Sequence, residues 1–107
     1  MPRWLPRLLR RIRELAGRHR VLFTLKATRE LATLALGLDA RDACEILGAL
    51  TATEFVARFR SSRTGAWMYV FRPHVAGTIV YLKLILRQEC VVVSFHEDEG
   101  KADEEAP

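Results

Sequence analysis

The chain has 107 residues, half of them hydrophobic, and a formal charge of +4 at pH 7. That length allows one compact core and excludes two independent ones, and that hydrophobic content excludes a disordered chain. Residues 1–30 carry nine Lys/Arg against two Glu, whereas residues 96–107 carry six acidic side chains against Lys101, so the body apart from its tail suits a polyanion, either nucleic acid or an anionic lipid surface.

Arginines interrupt the N-terminal segment every few residues, which is unlike a signal peptide, and no stretch approaches the ~20 apolar residues of a membrane span. The cytoplasm is the expected compartment. The first element reads as a helix from Pro6 to Ala16, with Leu5, Leu8, Leu9, Ile12 and Leu15 forming an apolar stripe and Arg7, Arg10, Arg11 and Arg13 on the remaining surface. Pro6 suits the first turn and Gly17 the C-terminal cap. Val21–Thr24 is short and β-prone, an edge strand or extended connector. A second helix is expected over Lys26–Leu36, with Leu31, Leu34 and Ala35 facing in, and a third over Ala40–Ala49, capped by Asp39. Thr51 and Glu54 then form a capping box that opens a short helix.

From Gly65 the hydrophobic period changes from 3.6 to 2. Trp67–Arg72, Thr78–Arg87 and Cys90–His96 read as antiparallel strands, the first two joined through Pro73–Gly77 and the last two by a tight turn at Gln88-Glu89. Glu97–Pro107 is acidic, with no apolar side chain larger than Ala, and is expected to be disordered. The organisation is therefore one domain over residues 1–96 with an acidic tail over 97–107. The fold class is α+β, with N-terminal helices packed on a small antiparallel C-terminal sheet.

A two-residue loop at Gln88-Glu89 would pair Arg87 with Cys90, Lys83 with Ser94 and Tyr81 with His96. Tyr81, Lys83, Ser94 and His96 then share one face, while Val80, Leu82, Leu84, Val91, Val93 and Phe95 share the core face. A phenol, an ammonium, a hydroxyl and an imidazole gathered in a basic protein suit RNA cleavage without a metal. In that reaction the ribose 2′-OH loses a proton and attacks the adjacent phosphorus while cations steady the phosphate oxygens. His96, of a residue type titrating near ~6.5, suits proton transfer, and Tyr81, of a type titrating near ~10, suits hydrogen-bond donation. Lys83 and Arg72 suit phosphate.

A polar outer face on a sheet also needs no function at all. Arg58, Arg60 and Arg63 flank a Ser-Ser-Arg-Thr-Gly loop and suit RNA or plain solvation. His74 lies in a connection, His19 in the basic N-terminal patch, and Trp67, Tyr69 and Phe71 alternate as a core-packing strand does. Cys44 and Cys90 sit among apolar neighbours as small hydrophobes and form no metal-ligand spacing with the histidines. No cofactor is implied.

The ordered set Leu36-Gly37-Leu38-Asp39, Thr51-x-Thr-Glu-Phe55, Trp67, Phe71-Arg72-Pro73, Gly77-x-x-Val80-Tyr81-Leu82-Lys83 and Val93-Ser94-Phe95 resembles the MqsR (motility quorum-sensing regulator) toxins over Leu36–His96. The resemblance implies a RelE-like fold and a cytoplasmic mRNA interferase toxin that works without a metal. It also implies neutralisation by an MqsA-like antitoxin, zinc-binding and helix-turn-helix, with promoter DNA reached only through the toxin–antitoxin complex. The family's functional tyrosine falls on Tyr81. Its C-terminal lysine falls on His96, its glutamine after the tryptophan on Met68, and its lysine after Glu-Phe near Ala57, with Arg58 one place along. Two other readings stand beside the nuclease: a toxin-like protein that binds RNA or antitoxin without cutting, which Met68 and Ala57 favour, and a membrane-surface protein using Trp4 and the Arg-rich first helix.

Overall fold

The computed structural model describes residues 2–99. Helix α1 (Leu5–Gly17), strand β1 (Val21–Phe23), helices α2 (Leu25–Thr33) and α3 (Ala40–Gly48) and a 3₁₀ turn (Ala52–Glu54) come first. Strands β2 (Phe55–Arg60), β3 (Trp67–Phe71), β4 (His74–Val75), β5 (Thr78–Leu86) and β6 (Cys90–Glu97) follow. The strands form a sheet of order β1-β6-β5-β3-β2, with β4 also paired to β5. This is the expected α+β class, but the sheet is mixed rather than antiparallel, because β1 runs parallel to β6 along Val21–Phe23. Strand β2 was not expected either. Its alternation of Ala57 and Phe59 against Arg58 and Arg60 is genuine period 2, hidden at its start by a register shift between Phe55 and Ala57.

The core lies between one sheet face and helices α1 and α3. Leu5, Leu8, Leu9, Ile12 and Leu15 of α1, Leu47 of α3 and Leu50 just beyond it meet Phe71, Val80, Leu82, Leu84, Val92 and Phe95. Each buried aliphatic side chain there contributes about 1.5–3 kcal/mol, so the helical stripe, not helix propensity, fixes α1 in place. Cys44 and Cys90 are both buried and unbridged.

The caps are local. Asp39 accepts from the Asp42 N–H, and that bond, foremost, holds its carboxyl below the usual range. Thr51 and Glu54 form the reciprocal box. Thr24, which pattern alone leaves in the strand, instead caps α2 by accepting from the Ala27 N–H. The first two helix ends differ from expectation. Gly17 is the last helical residue of α1 and His19 takes the left-handed conformation (φ 56°). Helix α2 stops at Thr33 with Ala35 at φ 58°, so Ala35 is exposed rather than inward-facing.

The β5–β6 hairpin departs from the two-residue loop in an instructive way. Its loop is Arg87-Gln88-Glu89, closed by Leu86 opposite Cys90, and the register shifts between Lys83 and Leu84 so that Leu84 faces Val92 whereas Lys83 faces Ser94. The extra residue is Val93, a β-bulge whose carbonyl accepts from Thr24 Oγ1 at 3.4 Å, while the Thr24 N–H donates to the Val92 carbonyl at 3.1 Å. Above the bulge the inward residue is therefore Val92, not Val91 or Val93, both of which are half-buried. Below it the expected register returns.

The acidic segment begins inside the ordered fold: Glu97 ends β6, and the Asp98 N–H donates to the Ile79 carbonyl at 2.8 Å. Residues 100–107 of the expected tail lie outside the described residues.

Candidate active face

Strand β5 is central, flanked by β6 and β3, and its even-numbered side chains from Val80 to Leu84 are consumed by the core. Alternation therefore delivers Tyr81 and Lys83 to the opposite face. The restored register sets Tyr81 opposite His96 and Lys83 opposite Ser94. The Tyr81 and His96 rings stack with centroids 5.0 Å apart and planes 11° from parallel. Lys83 Nζ lies 5.9 Å from the Tyr81 centroid and 5.8 Å from that of Phe59 on β2.

This face is not the solvated surface that a polar pattern suggests. Tyr81 and Lys83 are each 5 % exposed and Ser94 is 0 % exposed, whereas His96 is only half-buried. The Lys83 amine is thus withdrawn from water beside two aromatic rings, where the field of a charge is screened little.

Helix α2 supplies residues that the sequence reading missed. Lys26 Nζ donates to Ser94 Oγ at 2.9 Å and pairs with Glu30 Oε2 at 2.9 Å, while Glu30 Oε1 accepts the Phe95 N–H at 2.9 Å. Lys26 and Glu30 are an i,i+4 helix pair, but their contacts with Ser94 and Phe95 span more than sixty residues of sequence, and no local motif signals those. Between α2 and the end of β6 lies a groove of about 560 Å³, lined by Arg29, Thr33 and Leu34 on one side and His96 and Glu97 on the other. His96 Nδ1 lies 2.8 Å from the Glu97 carbonyl. A carbonyl can only accept, so Nδ1 carries the proton and Nε2 is the nitrogen that takes one up.

Arg72 follows Phe71, which pairs with Leu82, so it stands beside Tyr81 on the same side of the sheet. Its Nε donates to Asp98 Oδ1 at 3.1 Å, in a largely buried ion pair. Met68 and Ala57 share this side too, since Val70 faces Lys83 and Ala57 faces Val70. Arg58 does not: it faces Tyr69 across β2–β3 and lies between the indoles of Trp4 and Trp67 on the helix-bearing face. The structure thus brings together Tyr81, His96, Lys83 and Arg72 and separates Arg58 from them. His74 is in β4, outside the cluster.

Among the described residues no group of His, Cys, Asp or Glu is placed to hold a metal ion, and no helix is long and apolar enough to cross a membrane. A family model described as "Motility quorum-sensing regulator, toxin of MqsA" matches residues 7–97. No curated protein matches the chain.

Proposed function

Because the chain belongs to the motility quorum-sensing regulator (MqsR) toxin family, and is thereby a toxin of a toxin–antitoxin system, we propose that it acts as an endoribonuclease on mRNA and is neutralised by an MqsA-like antitoxin. The observation that carries this reading is the Tyr81–His96 stack beside the buried Lys83 amine. In the proposed reaction His96 makes one of the two proton transfers through Nε2, from the ribose 2′-OH or to the leaving 5′-oxygen, and solvent water makes the other. The new bond joins the 2′-oxygen to phosphorus and the P–O5′ bond breaks, giving a 2′,3′-cyclic phosphate and a 5′-hydroxyl. Tyr81 orients or hydrogen-bonds a phosphate oxygen, Lys83 faces the phosphate from a site shielded from water, and Arg72 engages a flanking phosphate. The charge that such chemistry requires is available from these side chains without a metal ion.

Purified protein should cut a short mRNA-derived oligonucleotide in the presence of EDTA, and His96→Ala should slow cutting by about 10²–10⁴-fold. Intact RNA at confirmed folding would overturn the enzymatic reading in favour of a toxin-like binder, the alternative that Ala57 and Met68 on the same face favour.

A further inference from the structure

The helix-bearing side of the sheet carries a second constellation, built from the arginines of β2 and both tryptophans of the chain. Arg58 Cζ lies 4.1 Å from the Trp4 ring centroid and 3.9 Å from that of Trp67, and Arg60 Cζ lies 4.4 Å from Trp67. Alternation along β2 puts Arg58 and Arg60 on one side, and Trp67 is the register partner of Arg60. Trp4 is held in turn by Phe55 at 5.4 Å, edge-on, and by Tyr69 at 6.0 Å. The stack is thus pinned to α1, β2 and β3.

Its charge is not absorbed by the fold. Neither Arg58 nor Arg60 forms an ion pair among the described residues. Arg60 is exposed and donates to the Gly65 carbonyl at 2.9 Å, and Arg63 in the following loop is also exposed. A single cation between two rings would suffice to seal the end of the core. Two guanidinium groups over one indole at an edge strand, with a third arginine in the loop that follows it, are a surface of flat, cationic faces. Bases stack on such planes whatever their identity, and phosphates pair with the guanidinium edges.

We propose that this stack is a second RNA site, binding single-stranded RNA that flanks the segment held at the Tyr81–His96 face, with bases stacked on Trp67 and Arg60 and phosphates on Arg63. Taking RNA as the ligand rests on the proposed nuclease function; the site itself rests on the stack. A strand passing round the β2 edge reaches both faces.

The chain has two tryptophans and both are in the stack, so tryptophan emission, excited at the red edge where tyrosine does not absorb, reports on this site and not on Tyr81. The full chain is titrated with a 2′-O-methyl single strand of about 20 nucleotides, longer than the ~4–16 that one such platform covers. The modification blocks the nucleophile, so binding is read whether or not the protein cuts RNA. Tryptophan quenching is expected, with the apparent Kd weakened about tenfold or more in Arg60→Ser/Arg63→Ser, whose parent side chains are exposed, and the salt dependence reduced. Arg58→Lys, which keeps the charge and loses the plane, should weaken binding at unchanged salt slope. Quenching in a protein that fails to cleave RNA would leave this site standing while removing the nuclease reading. Cleavage without quenching would overturn the site. So would quenching by phosphatidylglycerol vesicles and not by RNA, or RNA affinity unchanged in both variants with only the melting temperature lowered.

Discussion

Glu30→Ala tests whether helix α2 completes the sheet. Strand β1 pairs with β6 only from Cys90 to Val92, and the Val93 bulge follows. The next outward-facing amide, Phe95 N–H, is met not by a strand but by the Glu30 carboxylate at 2.9 Å, which also holds Lys26. A hydrogen bond to a charged group is worth about 1.5–3 kcal/mol when lost from one side. Lys26 is 54 % exposed, so its ion pair adds no more than ~0.5 kcal/mol after screening. The expected loss is about 2 kcal/mol, or a Tm lower by roughly 10 °C in a domain of this size. Glu30→Gln keeps an acceptor and should lose about half as much, and Lys26→Met, which removes the screened ion pair together with the hydrogen bond to the buried Ser94 hydroxyl, about 1 kcal/mol. Urea unfolding followed by circular dichroism gives the three values, and hydrogen exchange at the Phe95 amide gives the local one. Because His96 is the next residue, RNA cleavage should fall in Glu30→Ala beyond what unfolding explains. The reasoning fails if Glu30→Ala stays within ~0.5 kcal/mol of wild type, or if Lys26→Met costs as much.

Two further outcomes follow from the same geometry. Burial pushes the Cys90 thiol up to about 12, with the Cys44 sulfur adding to it. The folded state therefore keeps a proton that the unfolded chain releases near 9, so this contribution to stability is complete below pH 9 and is lost as pH rises towards 12; Cys90→Ala should flatten that alkaline decline, measured as Tm against pH, and native Cys90 should resist iodoacetamide until the protein is unfolded. Asp98 must give up Arg72 before a phosphate can take it, so Asp98→Asn should lower KM for RNA several-fold with little change in kcat, as single-substrate kinetics would show; an unchanged or raised KM would remove Arg72 from the substrate path.

Local rules determined a good deal here. The α1 stripe, the Asp39 cap and the Thr51–Glu54 box were legible because each is decided within four residues. Alternation along β5 alone placed Leu82 and Leu84 inward and Tyr81 and Lys83 together on the other face. The pairing of Tyr81 with His96 was legible for a less secure reason: a loop one residue longer than expected and a bulge at Val93 displace the register in opposite senses and cancel. What the cancellation hides is the inward turn of Val92 in place of Val91 and Val93, at a bulge where Thr24, just past the neighbouring strand β1, meets the Val92 and Val93 carbonyls.

Only the tertiary structure decided the direction of β1, the reach of Lys26 and Glu30 to Ser94 and Phe95, the Asp98–Arg72 pair and the removal of Arg58 to the other face. It also decided that Tyr81 and Lys83 are buried rather than solvated. The period of a strand tells which side chains share a face, because that follows from backbone geometry at each residue. Whether the face is then covered, and by what, depends on segments tens of residues away whose approach leaves no mark in the local pattern.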